Sequence, residues 1–347
     1  MDNNDEIMRD QSFTPVDPSS PEARLHASRN FSRMGLSIFE ILLVGTAIQV
    51  LIVTLINMLA PSFMENPLSL WIYTFMPLYI IAMPIGIKML MRVDAYPPKK
   101  SSFGFIRFLA AAFISIFMMY AGNLIGTLIT TALNGGETVN PLDALISNDS
   151  FILRFLIVVV VGPLMEEIIF RKLLIDRMNI YGERLAIVTS ALLFGLFHGN
   201  LSQFFYAFLL GLVWAYVYTR TGKLGYSYVL HMCVNFLGSI VAPAIVDGID
   251  IEQLEALSST TDPEAILNLM TPGIAVYIIY IMAVISAAFA GLIILLVVRK
   301  RLVFEPAALE LPKEGRFRTV WMNPGMLACL NGCIARMIYS QVAKSLV

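Results

Sequence analysis

Charge is scarce in this sequence. Asp, Glu, Lys and Arg make up 14% of its 347 residues against 57% hydrophobic ones, and the mean hydropathy is +0.74. A soluble domain carries about a quarter charged residues, so an ordinary soluble domain is excluded. Cysteine is scarce too: three residues are too few for a disulfide framework, and none has zinc-site spacing. Cys329 and Cys333, in "CLNGC", have no histidine nearby and are read as small apolar residues. There is no block of basic residues interleaved with aromatics and the net charge is −1, so nucleic acid is not an expected partner. The first apolar run lacks a small-residue cleavage site at its end and follows more than thirty mostly polar residues. A cleaved signal peptide is therefore not expected. No organellar targeting segment and no internal repeat stand out.

What is present is apolar runs of about 20 residues, the length a helix needs to cross the hydrocarbon core. They recur at 35–60, 68–91, 105–133, 151–176, 184–200, 203–220, 224–245 and 273–298. The expected fold is all-α, a polytopic membrane helical bundle of about eight transmembrane helices, occupying 31–300. Residues 1–30 are too polar to bury enough surface to fold and are expected to be a disordered cytoplasmic tail. Residues 301–347 are basic yet rather apolar, and their last stretch is interrupted by Asn331, Gly332 and Arg336. A cytoplasmic or interfacial tail is expected there. Lys and Arg alternate cleanly between loops: "RNFSR", "RVDAYPPKK", "RKLLIDRMNIYGER", "TRTGK" and "RKR" carry them, while "PSFMENP", "HGNLSQ" and the long loops before 151 and 273 have none. Basic loops stay inside, so both termini are expected in the cytoplasm.

Within the spans, Glu40, Lys88, Arg107 and Arg154 lie near the ends, where headgroup contact accounts for them. Three stretches resist that reading: "EEIIFR" (Glu166, Glu167, Arg171), "FGLFH" (Phe194 to His198) and "HMCVN" (His231, Asn235). Two of the three histidines fall in these apolar segments. Glu167 and Arg171 have the i,i+4 spacing of a helical ion pair, with the acid on the favourable side. Glu166 points about 100° away and has no local partner. His231 and Asn235, four apart, share one face. Polar groups that merely tie helices together are the alternative for each residue taken singly; four together in lipid mark a functional site.

Chemistry follows from the residue types. A carboxylate shielded from water is a stronger proton acceptor, which suits Glu166 as a general base toward water. A histidine beside it can orient that water or move its proton, and His and Asn donors can stabilise the oxyanion formed when water adds to an amide carbonyl. Counted from Arg171, Ala186 and Lys223 as the cytoplasmic boundaries, Glu166 lies about 8 Å deep, His231 about 12 Å, and His198 and Asn235 about 18 Å. The consistent location is the cytoplasmic half of the bilayer.

These three motifs, EExxxR, FxxxH and HxxxN in separate apolar segments across 166–235, resemble the CPBP family of intramembrane proteases. That family, also called CAAX protease, bacteriocin-processing or Abi, includes the Ras-converting CAAX endopeptidase. The resemblance implies that Glu166 activates water with help from His198, that His231 and Asn235 hold the oxyanion, and that Glu167, Arg171 and Phe194 support them. It implies a membrane-associated protein or peptide substrate, and proteolysis in a cell membrane; the compact loops fit a bacterial inner membrane. Such proteases have been described both with and without metal. With no HExxH present, a metal-free glutamate mechanism is favoured, and zinc held by Glu166, His198 and His231 is the alternative. Two other readings stay open: a non-catalytic immunity or scaffold protein that binds a peptide or protein, and a proton-relay transporter, disfavoured by the lack of repeats and paired broken helices.

Overall fold

The computed structural model describes residues 17–133 and 150–345. Most of the expected amino-terminal tail (1–16) and the loop 134–149 lie outside them. The described chain is all-helical. In chain order the helices are α1 Pro21–Leu59, α2 Pro67–Leu90 and α3 Phe105–Leu133, α4 over 151–178, α5 Glu183–Phe197, α6 Leu201–Thr221 and α7 Leu224–Val246. Then follow α8 Ile251–Ser259, α9 Pro263–Leu269, α10 Pro272–Val298, α11 Arg316–Trp321 and α12 Pro324–Ser345.

Helix starts are written in the sequence. Ser20, Asn66, Asn200 and Thr271 each accept a backbone N–H of the first turn on the side chain. A proline follows three of these caps, where its missing N–H costs nothing. Gly222 closes α6 at φ 59° and donates its N–H to Tyr218 O at 2.7 Å.

Among the described residues six helices, α1, α2, α3, α6, α7 and α10, are long and apolar enough to span a membrane. Two of the eight expected spans differ. The 151–176 span is helical but carries Arg154, Glu166, Glu167, Arg171 and Lys172. The 184–200 span is a helix of 15 residues, about 22 Å long against a core of about 30 Å. It ends before His198, which sits in the turn to α6.

Both expected tails carry more structure than their composition suggests. Residues 21–30 form the first turns of α1, with Ala27 and Asn30 buried, so the tail ends about ten residues earlier than expected. Asn30 donates to Tyr181 Oη at 2.8 Å. At the other end α12 lies along α1 and touches α5. A Cβ on Gly35 would come within 2.5 Å of the Gly325 backbone, so the two helices meet glycine to glycine. Gly325 N–H donates to Ser32 Oγ at 3.0 Å, and Cys329 and Cys333 are fully buried. Close packing of small residues is how membrane helices associate, so α12 is part of the bundle rather than only an interfacial segment.

The "RKLLIDRMNIYGER" stretch, expected as a basic loop, is mostly the buried end of α4. Arg177 Nε donates to Leu90 O at 2.6 Å and satisfies the open carbonyl end of α2. Asp176 accepts from Lys172 at 2.6 Å and from Tyr218 Oη at 2.7 Å. At the centre α6 packs on both α3 and α5. A Cβ on Gly122 would lie 2.6 Å from Tyr206 N, and one on Gly126 2.7 Å from Ser202 O. These two glycines form a GxxxG pair that lets α3 and α6 touch backbone to backbone.

Candidate active site

The site is built where α4 departs from regular helix. Residues 155–161 form a wide turn with i→i−5 bonding, in which Gly162 N–H reaches Ile157 O. The next donor in that register would be residue 163, a proline without an N–H. Val158 O is therefore left open within its helix, and Asn235 Nδ2 on α7 donates to it at 2.8 Å. Two turns earlier on the same face of α7, Tyr228 Oη donates to Val160 O at 3.2 Å. His231 sits between Tyr228 and Asn235 on that face, so these two bonds fix α7 against α4 and aim the imidazole at the glutamates.

His231 meets both of them. Its Nδ1 lies 3.2 Å from Glu167 Oε1 and its Nε2 3.6 Å from Glu166 Oε2. A carboxylate only accepts, so Nδ1 carries the proton toward Glu167, and Nε2 faces Glu166. Glu167 Oε1 also pairs with Arg171 Nη2 at 3.3 Å, with both side chains wholly buried. A second wide turn, 168–173, begins immediately after Glu167. Arg171 Nη1 donates to Ser190 Oγ at 3.5 Å, and Ser190 Oγ donates to Phe170 O at 2.5 Å. The Glu166 side chain is 16% exposed against 0% for Glu167. One glutamate is sealed into a clamp, and its neighbour keeps part of its side chain exposed.

Phe194 organises the rest. Its ring lies under the Arg171 guanidinium at 4.6 Å and meets His198 and His231 edge-on at 4.9 and 5.7 Å between centroids. His198 follows the last residue of α5 and donates Nδ1–H to Phe194 O at 2.8 Å, which closes an open carbonyl of the helix end. That bond leaves the Nε2 lone pair as the free face of the ring.

The structure thus brings Glu166, Glu167, Arg171 and His231 into direct contact, with Phe194 joining them to His198. Asn235 faces the α4 backbone, and no hydrogen bond joins His198 to either glutamate among the described residues. Nor, among those residues, are three His, Cys, Asp or Glu side chains grouped as a metal would need. Of the alternative ligand set, Glu166 and His231 are in contact at 3.6 Å, and His198 is not grouped with them.

Three neighbours escaped the sequence reading. Trp214 stacks on His231 at 4.3 Å and 27° and donates Nε1–H to Ser115 Oγ at 3.2 Å. Tyr206 stands 6.5 Å from His198 between ring centroids, and the Tyr79 hydroxyl lies against Gly162, one turn before Glu166. The GxxxG spacing opposite Tyr206 was the available signal; nothing local marked Trp214 or Tyr79. From outside the central segment, Arg336 on α12 packs over Gly199, next to His198.

Residues 148–237 match the family model described as type II CAAX prenyl endopeptidase Rce1-like. The resemblance carried by the three motifs holds over that stretch, which contains every expected site residue. The match, with the apolar helices, supports a multi-pass membrane protein that is an intramembrane endopeptidase in general terms. No curated protein and no solved structure matches the chain significantly.

Proposed function

We propose that this chain, an intramembrane endopeptidase by its central segment, cleaves a peptide bond of a membrane-associated protein or peptide with water activated by Glu166. The observation that carries the reading is the unequal fate of adjacent glutamates: Glu167 is wholly buried between Arg171 and His231, while Glu166 stays 16% exposed with His231 Nε2 3.6 Å away. A sealed, doubly bound carboxylate positions; an open one can accept a proton.

In this mechanism Glu166 takes a proton from water as its oxygen attacks the scissile carbonyl. His198, its Nδ1–H held by Phe194 O, offers Nε2 to orient that water. The proton is shared between Glu166 and His231 Nε2, and Glu167 supports the charge that reaches the imidazole. So charged, His231 becomes a donor to the oxyanion, and the second amide N–H of Asn235 is the other donor. The proton then passes to the leaving amine as the C–N bond breaks. Glu167, Arg171 and Phe194 hold this arrangement without touching substrate. The alternation of Lys and Arg among loops supports both termini in the cytoplasm, and the compact loops fit a bacterial inner membrane.

The test is cleavage of a membrane-anchored peptide by purified protein in the presence of a chelator. Wild-type activity is expected to persist, and Glu166→Gln to lower kcat by at least a hundredfold with an unchanged unfolding temperature. Loss of activity on chelation, restored by zinc, would replace the mechanism with the metal-dependent one. An active Glu166→Gln variant would remove the general base.

A further inference from the structure

Away from the glutamates, a cavity of about 950 Å³ opens between α3, α5, α6 and α10, at the upper end of the range of about 300–1,000 Å³ for ligand pockets. Its composition is divided along its length. At one end stand Arg107 at the start of α3, Arg184 at the start of α5, Arg220 at the end of α6 and Arg301 just past α10. All four helices reach the same face of the bundle there. Beyond them the walls are apolar, with Ile114 and Met118 on α3, Val213 on α6 and Leu295 on α10.

Four arginines meet two glutamates at this mouth, and one arginine answers both. Arg220 is ion-paired with Glu183, and its Nη1 lies 3.8 Å from Glu305. Arg184 covers the Phe304 ring at 4.4 Å. Arg107, Arg184 and Arg301 are exposed and have no ion-pair partner among the described residues. From Arg107 to Met118 the α3 wall runs about 16 Å, close to the half-thickness of the hydrocarbon core, about 15 Å.

We propose that this cavity seats an anionic phospholipid, with its phosphate among Arg107, Arg184 and Arg301 and an acyl chain along α3 and α6. Basic pockets between transmembrane helices hold anionic headgroups by the same charge complementarity. The site is separate from the catalytic cluster. Leu212, Val213 and Tyr216 line the cavity, whereas Trp214 points from another face of α6 to stack on His231. Trp214 and Ser115, next to Val213 and Ile114, close the wall between the two. The bound lipid would fill the seam between α3, α6 and α10, and so would support the α3–α6 contact that places Tyr206.

The experiment is native mass spectrometry of the full-length protein titrated with phosphatidylglycerol, with phosphatidylcholine of the same chains, and with glycerol 3-phosphate as a chainless headgroup. The wild type is expected to retain phosphatidylglycerol at a concentration at least tenfold lower than phosphatidylcholine, and not to retain glycerol phosphate. Arg107→Gln/Arg184→Gln/Arg301→Gln is expected to lose the preference, and Val213→Trp, which fills the chain end, to lose both lipids. Arg301→Gln alone, on an exposed turn, tests the headgroup site should the triple variant not fold, with a severalfold loss expected. Equal retention of the two lipids by the wild type, or an unchanged preference in the arginine variants, would overturn the proposal. Retention of glycerol phosphate as strong as that of phosphatidylglycerol would reduce the site to one for free phosphate and also overturn it.

Discussion

At the residue scale the informative contrast is between two glutamates that adjoin in sequence and differ in surroundings. Glu167 shares Oε1 between Arg171 and His231 with no exposed surface, and removing one partner of a buried pair leaves an uncompensated charge that costs about 3–5 kcal/mol. Glu167→Gln is therefore expected to lower the unfolding temperature sharply, and Glu167→Met/Arg171→Met to recover much of that loss. Thermal unfolding in detergent checks both; a single variant as stable as wild type would show that the clamp does not hold the site. The i,i+4 pair was legible because it is local to one helix. The meeting of His231 with both glutamates was not, since it depends on how α7 is rotated against α4, which Tyr228 sets through Val160 O and Asn235 through Val158 O, the carbonyl that Pro163 leaves open. Sequence depths of about 8 Å and 12 Å for Glu166 and His231 agree with their contact across the two helices.

At the element scale, caps and apolar runs placed the expected helices to within a few residues except α1, which begins at Pro21 rather than near 35, while packing decided what each helix does. The 151–176 segment reads as one more span, yet its charges make it the inner helix that carries the site. The 184–200 segment is too short to cross alone, and His198 ends up in a turn. Gly122 shows how a glycine on one helix sets a side chain on another. Its missing Cβ leaves room for the Tyr206 backbone, and overpacking such a contact costs about 1–3 kcal/mol. Gly122→Val is expected to push α6 from α3, moving Tyr206 away from His198, with cleavage reduced at least tenfold and the unfolding temperature lowered. Gly104→Val, at a position with open space around it but strained by its φ of 64°, serves as a stability comparison. Normal cleavage by a folded Gly122→Val variant would detach the α3–α6 contact from function.

At the scale of the whole molecule, the polar cluster draws on α4, α5, α6 and α7, and the two outermost described helices, α1 and α12, pack on each other with α12 touching α5. The pairing of Gly35 with Gly325 spans nearly the whole chain, so no local pattern could disclose it; Asn331, Gly332 and Arg336 made α12 look interfacial. Deleting 324–347 would expose the α1 groove that Gly325 fills and take Arg336 from beside His198. The truncated protein is expected to unfold at a lower temperature and to cleave less than wild type. Unchanged stability would make α12 a dispensable appendage.

The central claim is that Glu166 hydrolyses peptide bonds inside the membrane. Its most direct test is a comparison of new protein termini in membranes from cells expressing wild type or Glu166→Ala at matched abundance. The account predicts termini that appear only with the wild type and lie within or beside membrane segments. Identical sets of termini, under conditions where the wild type has a phenotype, would contradict it and favour a binding role for the same cluster.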